Sequence, residues 1–229
     1  MNPIQTIVAR LTWKENRKFA REVLTGRLRS REEPRKGRFM PPDVDRILDR
    51  AQRNIDDLQS SMVAQKNSGN FRMVFMSLTH LAIYRALLSE GTKKDYATDL
   101  VGDIAWKPVT ESRRTSVGKF IIRRITADPH RQVGMQLRFL RRFATSPPGY
   151  ESELSSDSTA HYWNFHRCPP LEFYRTQGEE ALEMFRKTWC EFDFATAEWM
   201  AKGVKYERPH TLSAGDDVCD MKWTVARNE

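Results

Sequence analysis

The sequence predicts an α+β fold: a helical layer first, packed on a small antiparallel sheet accompanied by one long C-terminal helix. Three observations carry this. Apolar residues recur at helical spacing through most of residues 5–143, the period becomes two at His161, and a glycine-containing loop joins two further period-two stretches near the C-terminus. A chain of 229 residues with 12 Phe, 6 Trp and 6 Tyr can bury a sizeable core, which excludes wholesale disorder despite a mean hydropathy of −0.66.

Residues 5–24 form the first helix, with Ile7, Leu11, Phe19 and Val23 at helical spacing and Thr25-Gly26 as its end. The stretch Arg27 to Pro42, with Pro34, Gly37, Pro41 and Pro42, reads as a basic linker. Asp43 is an N-cap for a second helix carrying one stripe from Val44 through Ile47, Leu48, Ala51 and Ile55 to Leu58 and Met62. Phe71 to Ser89 is a more apolar, central helix, and Lys94 to Trp106 is another, stopped by Pro108. Between Ser116 and Phe143 two short helices are split by Asp128-Pro129, and both carry arginine on their outer faces.

Thr145 to Ser158, rich in Ser, Pro, Gly and acids, reads as a surface loop. His161 to Cys168 is a strand with His161, Trp163 and Phe165 on one face, and Pro169-Pro170 open a helical turn ending near Gly178. Residues 179–200 are one amphipathic helix placing Leu182, Phe185, Trp189, Phe192 and Trp199 on one broad face, with Cys190 and Asp193 neighbours along its border. Strands Val204 to Leu212 and Val218 to Val225, joined by Ser213 to Asp217, complete a three-stranded sheet that the preceding helices must cover. The organisation is a basic arm and linker over 1–42 and a single α+β domain over 43–229, helical across 43–145 and sheet-containing across 157–229.

The formal charge of +8 is unevenly spread: residues 1–42 and 107–150 carry net charges of +7 and +8, while 151–229 carry −6. The basic segments have few interleaved aromatics and no zinc-finger, helix-turn-helix or RNP pattern, so nucleic acid is not the expected partner. The complementary map favours pairing with the acidic C-terminal third of this chain or of a second subunit, a homo-oligomer joined through the basic arm. No apolar run approaches the roughly 20 residues of a membrane-spanning helix and no signal peptide is evident, so the expectation is a cytoplasmic protein with no membrane partner.

Cys168, Cys190 and Cys219 are odd in number, which argues against a disulfide framework and for reduced thiols. In the last strand Cys219, Met221, Trp223 and Val225 point one way, so Cys219 faces a core or an apolar pocket. In the preceding strand Val204, Tyr206, Arg208, His210 and Leu212 share a face, which puts an arginine among buried neighbours; Asp193, Asp216 or a substrate acid is its expected partner. A cation or base beside a cysteine activates the thiolate, so a site joining a cysteine with His210, His166 or Arg208 would be nucleophilic, with Asp216 or Asp217 as acid, base or histidine orienter. The rival use of the same thiols is a non-catalytic module holding a ligand or zinc. The cysteines are 22 and 29 positions apart with no Cys-x-x-Cys knuckle, so no cofactor is the first expectation and zinc the second. Walker, dinucleotide-glycine and Gly-x-Ser-x-Gly patterns are absent.

The fragments Arg167-Cys168-Pro169-Pro170 with Phe173-Tyr174, Cys190-Glu191-Phe192-Asp193, Arg208-Pro209-His210-Thr211-Leu212 and Gly215-Asp216-Asp217-Val218-Cys219-Asp220 resemble, in order and spacing, the L-2-amino-thiazoline-4-carboxylic acid hydrolase family. The resemblance covers the helices from about residue 70 onward but not residues 1–42. It implies an α+β fold and hydrolysis of a cyclic amidine, in which water adds to the carbon between sulfur and nitrogen and the ring opens to a carbamoyl-cysteine. It maps the family's cysteines onto Cys168, Cys190 and Cys219, its acids onto Asp193 and Asp216, and its Arg/Thr pair onto Arg208 and Thr211. Met221 departs from the aromatic residue more usual after Cys-Asp. The combined expectation is an enzyme opening or closing a small cyclic amidine or thiazoline-type acid. Cys219 is the preferred nucleophile, with Cys168 and Cys190 next. Asp193 and Asp216 handle protons, Arg208 grips the substrate carboxylate at two points, and His166, His210 and Thr211 complete the substrate contacts.

Overall fold

The computed structural model describes residues 1–26, 39–111 and 113–225. Most of the expected basic linker lies outside them. The fold is α+β. Helix α1 (Pro3–Leu24) begins with a capping box in which Asn2 and Gln5 exchange side-chain and backbone hydrogen bonds. Its inward stripe runs Gln5, Ala9, Thr12, Asn16, Phe19 and Val23, and two of the polar members find partners: Asn16 donates to the Thr79 hydroxyl at 2.6 Å and Gln5 to the Gln65 carbonyl at 2.8 Å. Ile7 and Leu11, expected to face the core, lie on the opposite side and are exposed, because hydrogen bonding rather than hydropathy selects the buried stripe. Arg17 and Arg21 pair with Asp49 and Asp45 of α2 (Pro41–Gln59), not with the acidic C-terminal third. Helix α2 starts two residues before the expected cap. Pro41 and Pro42 occupy its first turn, where a missing N–H costs nothing, and Asp43 pairs with Arg46 at 2.7 Å.

Helix α3 (Ser68–Ser89) is largely apolar with no single polar face, and packing on α1, α2 and α4 (Lys94–Glu111) buries most of it. By length and composition it reaches the threshold for crossing a membrane, contrary to the sequence reading, yet 72% of its apolar window is buried inside the protein. Helix α4 continues through Pro108 to Glu111 instead of stopping, although an interior proline removes one backbone donor and crowds the carbonyl of the preceding turn. Helices α5 (Arg113–Ile125) and α6 (Pro129–Phe143) follow, α6 capped by Asp128, which accepts from the His130 N–H at 2.9 Å.

The sheet has four antiparallel strands, not three, in the order β1-β2-β4-β3. Strand β1 (Glu151–Ser156) falls where the composition suggests a loop: as an edge strand it pairs through its backbone with β2 (Ala160–Arg167), and its Glu and Ser side chains carry no alternating apolar signal. Strand β4 (Cys219–Val225) pairs with β2 and with β3 (Val204–Glu207), which ends five residues earlier than expected. Trp163, Phe165, Trp223 and Val225 are buried and belong to one continuous cluster with α3 and α4; α6 packs on β2 and β4.

The long C-terminal helix is not borne out. Residues 179–200 form α8 (Glu179–Phe185), a one-turn π-helix at Arg186–Cys190, and α9 (Phe192–Met200), preceded by α7 (Pro169–Arg175). The π turn adds a residue to the ladder and re-aims the side chains after it, which 3.6-residue periodicity cannot reveal.

The close approach of α3 to the end of α6 depends on Gly69. A Cβ there would sit 1.9 Å from the Phe143 carbonyl oxygen, a backbone atom that cannot turn aside. Gly69→Ala is expected to destabilise by roughly 2 kcal/mol or more; urea unfolding checks this, and an unchanged midpoint would refute the packing.

Candidate functional site

The three cysteines come from three different elements. Cys219 opens β4, and the β2–β4 register sets it opposite Phe165. Cys168, three residues beyond Phe165, is the N-terminal flanking residue of α7, whose first turn is Pro169-Pro170. Cys190 closes the π turn. All are free thiols, Cys219 buried and the others half-buried. They lie within electrostatic range of one another, and Cys168 and Cys190 also feel Asp193.

A polar chain links two of them. The Cys190 thiol donates to the Ser213 hydroxyl at 3.2 Å, Ser213 and Thr211 share a hydrogen bond at 3.3 Å, and the Thr211 hydroxyl is 3.4 Å from the Cys219 sulfur. With Cys190 as first donor, the hydroxyl protons can all point onward to Cys219, which also receives the Leu212 backbone N–H at 3.2 Å. The turn supplying these groups is held from outside: Arg175 donates to the Leu212 carbonyl at 2.9 Å and Arg186 to the Ser213 carbonyl at 2.5 Å. Asp216 accepts from the Thr211 N–H at 2.7 Å.

Arg208 and Asp193 form the charged half of the site, paired at 2.9 Å, with the guanidinium 5.2 Å from the Phe194 ring centre. The arginine side chain is 7% exposed and the aspartate 32%. Burial raises the Asp193 pKa to about 6, against the pull of Arg208. Burial is the largest influence and works against the Arg208 charge, but Asp193, Tyr206, Cys190 and Cys219 together outweigh it and the pKa rises. Arg208 Nε and the Tyr206 hydroxyl are both buried without a hydrogen-bond partner of ordinary geometry, and Arg208 lies near enough to the Tyr206 hydroxyl to pull its pKa down. Burial, with the nearby Asp193 charge, raises the pKa of Tyr206 and keeps it protonated. Burial likewise lifts Cys190 to about 12 and pushes Cys168 up strongly, so both are held as neutral thiols. Cys219 is the sulfur receiving a backbone N–H as well as a hydroxyl.

Of the residues singled out from the sequence, Cys168, Cys190, Cys219, Asp193, Arg208 and Thr211 converge here. Asp216 touches the site through the Thr211 backbone, as a turn staple. His210 does not share the inward face of Arg208: β3 has ended, and the histidine is exposed, bonded at 2.7 Å to Asp220. His166 is exposed on β2. Neither Asp216 nor Asp217 orients a histidine. Tyr206 and Ser213 were not among the sequence candidates; alternation along β3 marks Tyr206 as inward, but nothing local marks Ser213. Among the described residues no group of three His, Cys, Asp or Glu side chains is arranged to hold a metal ion.

Behind Cys190, Trp189 donates its indole N–H to His80 Nδ1 at 2.9 Å, so the His80 proton sits on Nε2, which is buried without a partner. Burial lowers the His80 pKa to about 3.

The profile of the L-2-amino-thiazoline-4-carboxylic acid hydrolase family matches residues 72–223, and the chain belongs to this family. The match supports a hydrolase-like function in general. No curated protein and no solved structure matches the chain.

His80 stays neutral in the folded protein while its unfolded counterpart takes up a proton below about 6.5, so its neutrality costs stability progressively as pH falls from about 6.5 toward 3, by roughly 1.4 kcal/mol per pH unit at most. Urea unfolding of the parent and of His80→Gln at pH 7.5 and 5.0 checks this. The variant should lose this increment of acid sensitivity; identical pH dependence in both would remove His80 as its source.

Proposed function

We propose that the site hydrolyses a small cyclic amidine of the thiazoline carboxylic acid type, with Cys219 as nucleophile. The observation that carries this reading is the pair of buried, unpartnered donors, Arg208 Nε and the Tyr206 hydroxyl, beside the thiols of Cys190 and Cys219. Native proteins rarely bury donors unpaired, because each costs roughly 1–3 kcal/mol, and a substrate carboxylate would satisfy both. Arg208 thus offers one grip while Asp193 occupies Nη1, and Tyr206 supplies the second point of the two-point contact.

The Cys219 sulfur adds to the amidine carbon, the bond from that carbon to the ring sulfur breaks, and the thiol proton passes to the departing sulfur. Water then adds to the same carbon, the bond to Cys219 breaks, and a proton returns to its thiol, leaving a carbamoyl product with one water consumed. Asp193, poised near neutrality by burial, is suited to take and return the proton. Thr211 and Ser213 orient the Cys219 sulfur and tie it to the second thiol.

Cys219→Ser is expected to lower ring opening at least about a hundredfold while remaining folded, measured as thiol released from 2-aminothiazoline-4-carboxylate. Full rate in a folded Cys219→Ser variant would end the nucleophile assignment, and stoichiometric zinc in protein purified under reducing conditions would favour the ligand-holding reading instead.

Because Asp193 works in its ionised form, the rate of the parent should fall as pH drops through about 6, and this acid limb should be missing from the residual activity of Asp193→Asn. An unmoved acid limb in the variant would assign the proton step elsewhere.

A further inference from the structure

Helices α5 and α6 do not finish burying their apolar residues. Phe120, Phe139 and Phe143 are 58%, 61% and 58% exposed, and Val117, Ile121 and Ile125 are exposed on α5. At 100° per residue Val117, Phe120, Ile121, Arg124 and Ile125 form one stripe of α5, with the Arg124 guanidinium 5.0 Å from the Phe120 ring centre. On α6, the Phe139 and Phe143 rings lie 4.8 Å apart, tilted by 43°, beside the row of Arg138 and Arg142, and the Arg142 guanidinium lies 5.5 Å from the Phe143 ring centre. Residues 117–143 hold seven Lys/Arg and one acid, Asp128. Arg138, Arg141 and Arg142, with Asn67, Ser146 and Pro147, line an open cleft of about 590 Å³.

We propose that the α5–α6 face docks on the surface of an anionic phospholipid membrane, the aromatic and aliphatic side chains entering the headgroup boundary and the arginine cleft taking a lipid phosphate. Exposed apolar side chains interleaved with arginines fit this occupant. The guanidinium groups lie on the aromatic rings and can reach phosphate while the rings enter the apolar layer. A protein partner fits worse, since interface cores are depleted of charge and burying these arginines would need acids that neither helix carries. A second copy meeting the face with its own would set a net charge of +6 against +6. The lack of a membrane partner in the sequence reading rests on the absence of a spanning run, which surface docking does not need.

Co-sedimentation of the full chain with vesicles of phosphatidylcholine alone, and of phosphatidylcholine mixed with phosphatidylserine, tests the proposal. Binding is expected to the mixed vesicles only, weakening as salt rises from about 0.1 M to about 1 M. The triple variant R138Q/R141Q/R142Q should lower the partition constant about a hundredfold. F120S/F139S/F143S should also lower it, and both variants should keep the parent unfolding midpoint because the changed side chains are exposed. Equal binding to both vesicle types, or binding undiminished in both variants, would overturn the proposal. So would self-association through this face without vesicle binding, or a chain that binds inorganic phosphate through these arginines but ignores anionic vesicles.

Discussion

The register of β2 against β4 is the constraint on which the site depends. With Phe165 opposite Cys219 and Trp163 opposite Met221, the first residue of β4 turns inward at the end of the sheet where β2 runs into Cys168 and α7. Side-chain direction alternates along a strand, so a slip of one residue would turn Cys219 outward and separate it from the other thiols. Burial holds that register: Trp163, Phe165 and Trp223 lie on the covered face, Tyr206 of β3 packs 5.1 Å from Trp223, and moving the set outward would forfeit several aromatic contacts at once.

The charged half of the site follows a different logic. Asp193 and Arg208 are close enough for a strong ion pair, yet the aspartate pKa rises, so the loss of solvation exceeds what the arginine returns. A pair of this kind contributes little net stability, and a hydrophobic pair of similar volume would serve the fold as well. The π turn carries a similar cost. It interrupts a helix that could have run straight from Glu179 to Met200, and in exchange it places Cys190 against Ser213 and Arg186 against the carbonyl of the same turn.

Two kinds of basic surface are now distinct. Arginines of α1 are matched by the acids of α2 across a helix–helix seam, so the +7 of the first segment is in part an internal affair. Those of α5 and α6 stand among exposed aromatic rings. The segment totals are alike, +7 and +8, and a count of charges does not separate them; only the position of the nearest acids and the exposure of the rings do.

Local pattern carried the helix positions from α1 to α6, the switch to strands at residue 160, and the inward set of β2 and β4, because these are repeats of 3.6 or 2 imprinted by one-sided burial. The fragments around the cysteines, Asp193 and Arg208 were enough to indicate the family. Strand β1 escaped because its order comes from backbone pairing with a neighbour, and the N-terminal half of the inward stripe of α1 escaped because Gln5 and Asn16 are buried by partners distant in sequence. The π turn has no period of its own, and the missing partners of Arg208 Nε and the Tyr206 hydroxyl depend on which groups surround them in the folded chain. Residue types and spacing therefore determined which elements form and which chemistry they offer. The meeting of three sulfurs, the hydroxyl chain through Ser213 and the exposure of the α5–α6 face were decided only by packing, which brings together groups from separate segments that no local window contains.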